Sequence, residues 1–219
     1  MRLHLRASTV RAVPALKMGH ARQRGASLIV SLLMLVAVLL LGTSAAQIAL
    51  QGEKASRNDR DRQIAFQAAE AALLDAELDI ENSPDAVKSR SQQFSKNSAL
   101  GFPVDGEDGC RAGESNINLG LCRHASDGAA PIWLTVDFLD ATSSTMHSVP
   151  YGKFTGQDFP IGKGSLPGKL PRYVIELMLY TKAGESADMP SYIYRVTAIG
   201  FGARDSTQVV LQTFYRKED

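Results

Sequence analysis

The feature that most constrains this chain is a run of 25 consecutive uncharged residues, 26–50, which begins with mostly large aliphatic side chains. As an α-helix this run would be roughly 37 Å long, enough to cross a hydrocarbon core of about 30 Å. All of the nearby positive charge precedes it, because residues 1–25 contain six basic residues and no acidic one. By the positive-inside rule, the N-terminus would stay in the cytoplasm and everything after residue 50 would lie across the membrane.

The rest of the chain has a different charge balance. The 194 residues after the leader carry 18 basic and 23 acidic side chains, a net charge of −5. A mildly acidic body argues against nonspecific nucleic-acid binding, which needs a surplus of Lys and Arg. Two cysteines fall short of a four-ligand zinc site, and His124 and His147 lie in no recognisable catalytic or phosphate motif. We therefore expect a protein that is not an enzyme and that binds no nucleic acid, cofactor or metal.

Three interpretations of the apolar run differ in where the chain is cut. An ordinary secretory signal, cleaved after the small residues 44–46, would remove the run. An uncleaved anchor would keep both the leader and the run. Cleavage just after Gly25, on the cytoplasmic side, would remove the basic leader and keep the apolar helix. The first interpretation is disfavoured because the helical pattern does not stop at residue 50.

That helical pattern continues through the charged segment 51–62, where oppositely charged side chains lie four residues apart. Residues 63–80 are rich in Ala, and apolar residues recur at steps of three and four, as on one face of a helix. The stripe that we expect to pack on a sheet consists of Phe66, Ala69, Leu73, Ala76 and Ile80. Pro84 disfavours helix at the residue before it, so one helix is predicted from about residue 27 to about residue 81.

Residues 101–128 are predicted to form a long loop, because they contain six glycines, five acidic residues and both cysteines with little periodicity. In an oxidising compartment Cys110 and Cys122 would pair, which is worth about 3 kcal/mol for a ring of this size. A metal site formed by both cysteines and His124 is the alternative. The acidic run at 105–109 lacks the spacing of a calcium-binding EF-hand loop, so a surface turn is predicted there.

Four later segments are rich in β-branched and aromatic residues and are predicted to be strands: 132–138, 173–180, 192–201 and 207–215. The last three are joined by short connections and should form an antiparallel meander whose apolar face meets the helical stripe. Residues 142–171, rich in Gly and Pro, are expected to run over the surface. The sequence thus predicts an α+β fold, in which the second half of a long N-terminal helix packs on a C-terminal antiparallel sheet.

These features resemble those of a known family. A basic leader ending in Gly, followed by an uncharged helix, is similar to the class III signal of type IV pilins and pseudopilins. The next segment is similar to the N-terminal signature of the PilX-type minor pilins, and the end of the chain to the closing strands of the same family. The residues that carry this resemblance are Glu53-Lys54, Asn58, Arg60-Asp61-Arg62, 65–73 (AFQAAEAAL), 194–198 and 213–216.

The resemblance implies that a prepilin peptidase cuts between Gly25 and Ala26 and that the new N-terminus on Ala26 is methylated. The retained helix would then be the assembly device, which leaves lipid to pack against the helices of other subunits. Its expected assembly surface comprises Leu28, Ile29, Val30, Leu32, Leu33, Leu35, Val36, Leu39 and Leu40. The expected segments are a cleaved leader (1–25), a transmembrane half-helix (26–50), a periplasmic half-helix (51–82) and a globular pilin domain (83–219).

One departure from the family pattern lies at position 30. In the major pilins the fifth residue after the cut is a Glu that pairs with a neighbour's N-terminal amine, whereas this chain has Val30. An unpaired carboxylate is costly in lipid, so its loss is easily tolerated, but a docking contact is lost with it. By similarity to pseudopilins that lack this Glu, we expect a subunit at the filament tip.

The function that the resemblance implies is that of a minor pilin, which joins other minor pilins in the inner membrane to prime or cap type IV pilus assembly. Such a subunit would support pilus biogenesis, twitching motility and adhesion. Its implied partners are other minor pilins, the major pilin, a PilY-type tip protein and the prepilin peptidase. Two alternatives stay open: a tip pseudopilin of type II secretion, and a membrane-anchored periplasmic binding domain unrelated to filaments.

Overall fold

The computed structural model describes residues 26–104, 107, 109–181 and 190–217. The basic leader with Gly25, most of the acidic run at 105–109, and the connection at 182–189 lie outside the described residues. The chain divides between Gly52 and Glu53 into two compact units. Of the secondary structure in the described residues, most belongs to the second unit, including all of the strands.

A single helix, α1 (Ala26–Glu81), has 56 residues, which confirms the predicted long helix. Its C-terminal end is bound by Tyr215 and Lys217, which lie at and just after the end of the last strand. Lys217 donates through Nζ to the carbonyl of Ile80 at 2.9 Å, so a carbonyl without a helical partner gains a cation. The hydroxyl of Tyr215 donates to the Glu81 carboxylate at 2.7 Å. This hydrogen bond, together with burial, raises the pKa of Tyr215 to about 12.

One five-stranded sheet follows in the second unit. Its strands are β1 (Leu121–Arg123), β2 (Val149–Pro150), β3 (Arg172–Tyr180), β4 (Ser191–Phe201) and β5 (Gln208–Tyr215). Their order is β1-β3-β4-β5, and β2 pairs with one end of β3. The last three strands form the predicted antiparallel meander. The predicted α+β fold is confirmed; the pairs β2–β3, β3–β4 and β4–β5 are antiparallel, and the parallel pair β1–β3 makes the complete sheet mixed.

Two further predictions about local structure were wrong. Strand β1 lies inside the predicted loop 101–128; at three residues it is too short to show an alternating pattern. The segment predicted as a strand at 132–138 instead begins with a short helix, α2 (Ile132–Thr135), which follows an extended Pro131. The carbonyl of Ile132 accepts from the backbone N–H of Val136 at 3.1 Å and from the Thr135 hydroxyl at 2.9 Å.

Residues 142–171 also differ from the predicted surface segment. Their side chains Met146, Val149 and Phe154 are buried in the main hydrophobic core. The segment therefore contributes to the fold, although most of residues 156–166 is exposed as predicted.

The sheet has an apolar core on each face, because alternate side chains of a strand point to opposite sides. On the face toward α1, residues such as Tyr173, Ile175 and Val196 pack with Ala76 and Ile80 of the helix. On the other face, the smaller cluster comprises Cys122, Ile132, Phe138, Val174, Ile199 and Phe201. The short helix α2 thus covers part of the face that α1 leaves open.

Candidate assembly surface

The first half of α1 exposes its entire apolar surface. All residues of 26–50 are exposed, and none of them is charged. The nine predicted assembly residues have between 45% (Val36) and 72% (Leu28) of their surface accessible. The surface of 25 consecutive exposed, uncharged residues exceeds the contiguous apolar patches of a few hundred Å² that soluble monomers usually expose. By length and composition, this helix can cross a membrane.

Three of the five polar side chains in this segment form hydrogen bonds within the helix itself. The Ser31 hydroxyl donates to the carbonyl of Leu28 at 2.9 Å. Thr43 and Ser44 both donate to the carbonyl of Leu40, at 3.0 and 2.8 Å. Since lipid offers no hydrogen-bond partners, side chains that bond to their own helix cost little there. The surface therefore suits lipid or the apolar helices of other subunits.

The second half of α1 packs through a set of residues that differs in part from the predicted stripe. Ala69, Ala76 and Ile80 are fully buried, and Leu73 is partly buried against the core. Phe66, however, is 37% exposed, so it lies beside the buried face and not within it as the predicted stripe had it. The buried face is shifted by about one residue and is lined by Asp61, Ala65, Ala68, Ala69, Ala72, Asp75, Ala76, Asp79 and Ile80.

The close approach of β4 explains why alanines, and not Phe66, occupy this face. A Cβ placed on Gly200 would lie 2.1 Å from the carbonyl oxygen of Ala65 and 2.3 Å from the backbone nitrogen of Ala69. Backbone therefore meets backbone at this point, and only Gly on the strand with Ala on the helix leaves enough room. A large side chain pointing toward the sheet here would force the two elements apart.

Asp61 connects α1 to the turn between β4 and β5. Its carboxylate accepts hydrogen bonds from the backbone N–H groups of Ala203 (2.6 Å) and Arg204 (3.3 Å). It also accepts from the Thr207 hydroxyl and from Nε of Arg204 at 3.2 Å. Burial raises the pKa of Asp61, but these hydrogen bonds outweigh burial, and the net effect lowers it. Arg204 completes the contact by donating to the Asn58 side chain at 2.7 Å.

Asp79 is the centre of a buried ionic network. Arg90 donates to its carboxylate through Nη2 at 2.6 Å and through Nε at 3.0 Å, and both side chains are fully buried. The Tyr173 hydroxyl donates to the same carboxylate at 2.9 Å. Burial, followed by the charge of Asp79, raises the pKa of Tyr173 well above its usual range. Arg90 also donates to the carbonyls of Ile117 and Leu119, so the network joins the helix, the sheet and a loop.

Asp75 holds a third segment. Its carboxylate accepts from the backbone N–H of Gly152 at 2.8 Å and from the Thr155 hydroxyl. Burial raises the pKa of Asp75, and the hydrogen bonds only partly offset this effect. Three carboxylates on one helix face thus fix three different segments of the globular unit.

The two cysteines form a disulfide bond, as predicted, and the bond joins the 110 region to β1. Their sulfurs are therefore not available for the alternative metal site. His124 lies instead within 2.7 Å of Glu176, which is buried and bound by Arg195 at 2.6 Å. Among the residues that the structure describes, no three His, Cys, Asp or Glu side chains are grouped as metal ligands would be.

Two family models match the chain. The model described as PilX N-terminal matches residues 24–74, and the model described as Type IV pilus assembly protein PilX C-term matches residues 118–217. Together these ranges cover more than half of the chain. This chain belongs to the PilX family of type IV pilus assembly proteins. No curated protein and no solved structure matches it significantly.

Membership of the PilX family confirms the resemblance noted in the sequence. PilX proteins are structural pilins, and the family implies interaction with other pilins of the pilus system. The structure gives a physical role to part of the PilX signature: Asn58 and Asp61 bind the β4–β5 turn, and the alanines of 65–72 permit the close approach of Gly200.

The spacing of the three buried carboxylates in the sequence indicates that they are buried, although a pattern of apolar residues alone does not include them. Asp61, Asp75 and Asp79 lie on the same spacing as the buried alanines, in the series 61, 65, 68, 72, 75, 79. If every carboxylate is assumed to face solvent, these three residues are missed. An acidic residue that lies at the helical spacing of a buried stripe predicts a polar contact to a loop, since a buried carboxylate needs hydrogen-bond donors.

Proposed function

We propose that this PilX chain is a tip-type minor pilin, which joins other minor pilins in the inner membrane to prime or cap the type IV pilus. The observation that carries the proposal is the first half of α1, with 25 uncharged residues that are all exposed. Such a surface is stable only in lipid or against other apolar helices. The activity is assembly, without catalysis, and it supports pilus biogenesis, twitching motility and adhesion.

The physical basis is a change of surroundings for one surface. In lipid, helix association rests on van der Waals contact, because the lipid tails are as apolar as the side chains. When the helix leaves the bilayer, each Å² of apolar area that becomes buried against other subunits contributes about 25 cal/mol. Cleavage between Gly25 and Ala26 by a prepilin peptidase, with methylation of Ala26, would free the helix from a leader with six basic residues.

Two observations support the proposed placement. The Cys110–Cys122 disulfide is typical of an oxidising compartment, which is consistent with a periplasmic globular domain and a cytoplasmic N-terminus. Val30 stands where a Glu would pair with the subunit ahead, which is consistent with a place at the pilus tip. There we expect contacts with a PilY-type tip protein, other minor pilins and the major pilin.

Mass spectrometry of the mature N-terminus tests the processing step. A chain beginning at methylated Ala26 supports the proposal. A chain beginning at Gln47 would mean ordinary secretion, and an intact Met1 would mean an uncleaved anchor, so either result contradicts it.

A charged substitution on the predicted assembly surface tests the mechanism. Leu35→Lys places an ammonium in the middle of the span, where it costs about 3 kcal/mol in lipid, so recovery of the chain with other minor pilins should fall at least tenfold. Leu35→Ile is the matched control and should assemble normally. Undiminished recovery of the lysine variant would contradict assembly through this surface.

A gene deletion separates the pilus from the secretion system. Loss of surface fibres and twitching, with normal exoprotein release, supports the pilus. The opposite result would favour the type II secretion pseudopilin.

A further inference from the structure

A basic groove lies at the start of the second unit, beside the part of α1 that first carries charge. It has a volume of about 770 Å³ and is lined by Lys54, Arg57, Asn58, Arg60, Asp61, Ile64, Ala203 and Arg204. This volume falls within the range of about 300–1,000 Å³ that is usual for ligand sites. The helix and the β4–β5 turn, which are far apart in sequence, both contribute residues. The groove is therefore produced by the fold and is more than a run of charge along one helix.

The groove carries a surplus of positive charge. Four of its residues are cationic and one, Asp61, is anionic. The Asp61 carboxylate is 6% exposed and already accepts hydrogen bonds from the turn, so its charge is directed inward. Arg57 is paired with Glu53. Lys54 and Arg60 form no ion pair with any residue of the described part of the chain. Two ammonium or guanidinium groups thus lack a counter-ion at this place.

Arg204 is positioned in advance for an anion. Its Nε donates to Asp61 at 3.2 Å and one terminal nitrogen, Nη2, donates to Asn58 at 2.7 Å, which fixes the plane of the guanidinium. The side chain nevertheless remains 60% exposed, so further N–H groups stay accessible to a ligand. A guanidinium that is already ordered loses less entropy when it binds, and its planar geometry suits phosphate oxygens.

We propose that this groove binds the phosphate of an anionic phospholipid headgroup. The inference rests on the proposed function, in which residues 26–50 span the membrane. Lys54 follows the apolar run by four residues, and a chain of four residues spans at most about 14 Å in any conformation. The headgroup layer begins directly outside the hydrocarbon core and is several Å thick. The covalent connection therefore keeps phosphates within reach of Lys54, the groove residue that is nearest in sequence to the apolar run, while the subunit is in the bilayer.

This binding would regulate the proposed assembly. A bound headgroup ties the β4–β5 turn to the membrane surface as long as the subunit waits in the bilayer. When α1 is extracted into a filament, the phosphate is left behind and the groove becomes vacant. Free phosphate offers the same chemistry, but only a lipid is held at high local concentration by the anchor itself.

The test is a lipid titration of the full-length mature chain in uncharged detergent, followed by native mass spectrometry. Phosphatidylglycerol and phosphatidylcholine are the probes. We expect phosphatidylglycerol to bind preferentially and to be weakened roughly fivefold by Arg60→Gln, since each basic residue near an anionic surface contributes about that factor. The double variant Lys54→Gln/Arg60→Gln should lose at least tenfold.

Arg62→Gln is the matched control, because Arg62 is exposed on the same helix, two residues away, and does not line the groove. It should bind phosphatidylglycerol like the unmodified chain. Equal losses from Arg60→Gln and Arg62→Gln would overturn the proposal, because they would indicate attraction to the membrane surface in general. The emission of the single tryptophan, Trp133, should be the same in all variants and verifies that they fold.

Two further arms distinguish the source of the anion. Inorganic phosphate that binds as strongly per phosphate as phosphatidylglycerol would overturn the choice of a lipid. Unchanged lipid binding of the double variant, together with loss of its complex with other pilins, would overturn it in favour of a protein contact. Membrane fractionation and the N-terminal mass are measured on the same sample. A membrane-integral chain beginning at Ala26 with no lipid preference refutes this inference alone, whereas a soluble chain refutes the proposed function.

Discussion

Residues 26–50 and residues 53–81 belong to one α-helix, but their side chains meet different needs. The first segment has no charged residue and exposes every side chain. The second buries one face, and along that face three carboxylates each bind a different segment of the globular unit. One segment thus requires a partner outside the chain, and the other finds its partners within it.

The difference shows how one regular helix can present a permissive surface in one segment and selective contacts in the other. An apolar surface without charged groups is permissive, because lipid and any similar helix can cover it. A carboxylate at 2.6–3.3 Å from defined donors is selective, because it stabilises one arrangement of the turn and penalises others. Substitutions in the second segment should therefore change the stability of the fold, and substitutions in the first should change assembly.

The largest effect on folding is expected from Asp79→Ala. The substitution leaves the Arg90 guanidinium and the Tyr173 hydroxyl buried without their acceptor, so we expect the free energy of unfolding to fall by about 3–5 kcal/mol. Denaturant titration of the full chain in mild detergent, followed by Trp133 fluorescence, measures it. Asp59→Ala, on the exposed side of the same helix, should cost less than about 0.5 kcal/mol. Similar losses in both variants would show that the ionic network contributes no more to the free energy of unfolding than an exposed carboxylate does.

The next effect comes from Gly200→Ala, which inserts a methyl group between strand β4 and the second segment of the helix. The new Cβ would lie 2.1 Å from the Ala65 carbonyl oxygen, and neither backbone can move aside easily. We expect a loss of about 3 kcal/mol in the same titration. Gly42→Ala meets no atom within 4 Å and should leave the unfolding of the globular unit unchanged. A tolerated Gly200→Ala would mean that the helix and sheet are less closely packed than the contact with Ala65 indicates.

A smaller and pH-dependent effect is expected from Asp61→Asn. Since the pKa of Asp61 is lowered in the fold, its charge stabilises the protein above the unfolded value of 3.8, and this stabilisation disappears as the pH falls through the folded pKa. At neutral pH the variant should lose about 2 kcal/mol, because the charge that strengthens these hydrogen bonds is removed and one acceptor oxygen is replaced by an NH₂ donor. Unfolding titrations at neutral pH and at about pH 3 should show the difference narrowing in acid. A pH-independent difference would show that the charge of Asp61 is not what stabilises the turn.

The sequence was sufficient to predict the parts of the fold that rest on composition and periodicity. The helix from residue 27 to residue 81, the antiparallel meander and the Cys110–Cys122 bond all followed from local patterns, and the structure confirms them. Strand β1 did not follow, because three residues cannot show an alternation and its parallel partner lies more than 50 residues away. The pairing of β1 with β3 depends on tertiary contacts that no local pattern contains.

The helix α2 and the packing stripe were also not predicted correctly from local sequence patterns. Residues 132–138 have strand-like composition, but the extended Pro131 precedes a helical turn, and the side chains of Ile132 and Phe138 pack in the cluster on this face of the sheet. The packing stripe was predicted from apolar residues that recur at steps of three and four, whereas the buried face is determined by the close approach at Gly200. Which face of an Ala-rich helix is buried depends on the partner's backbone, which the helix sequence does not encode.

The smallest effect, expected from Phe66→Ala, sharpens this last point. A fully buried Phe costs about 3–5 kcal/mol when truncated to Ala. Because Phe66 is 37% exposed and lies beside the buried face, we expect a loss of only about 1 kcal/mol in the denaturant titration. Ile80→Ala is the comparison, since Ile80 is fully buried and should lose about 2–5 kcal/mol. If Phe66→Ala proved as costly as Ile80→Ala, Phe66 would belong to the core, and the shifted stripe would be the wrong description of the helix.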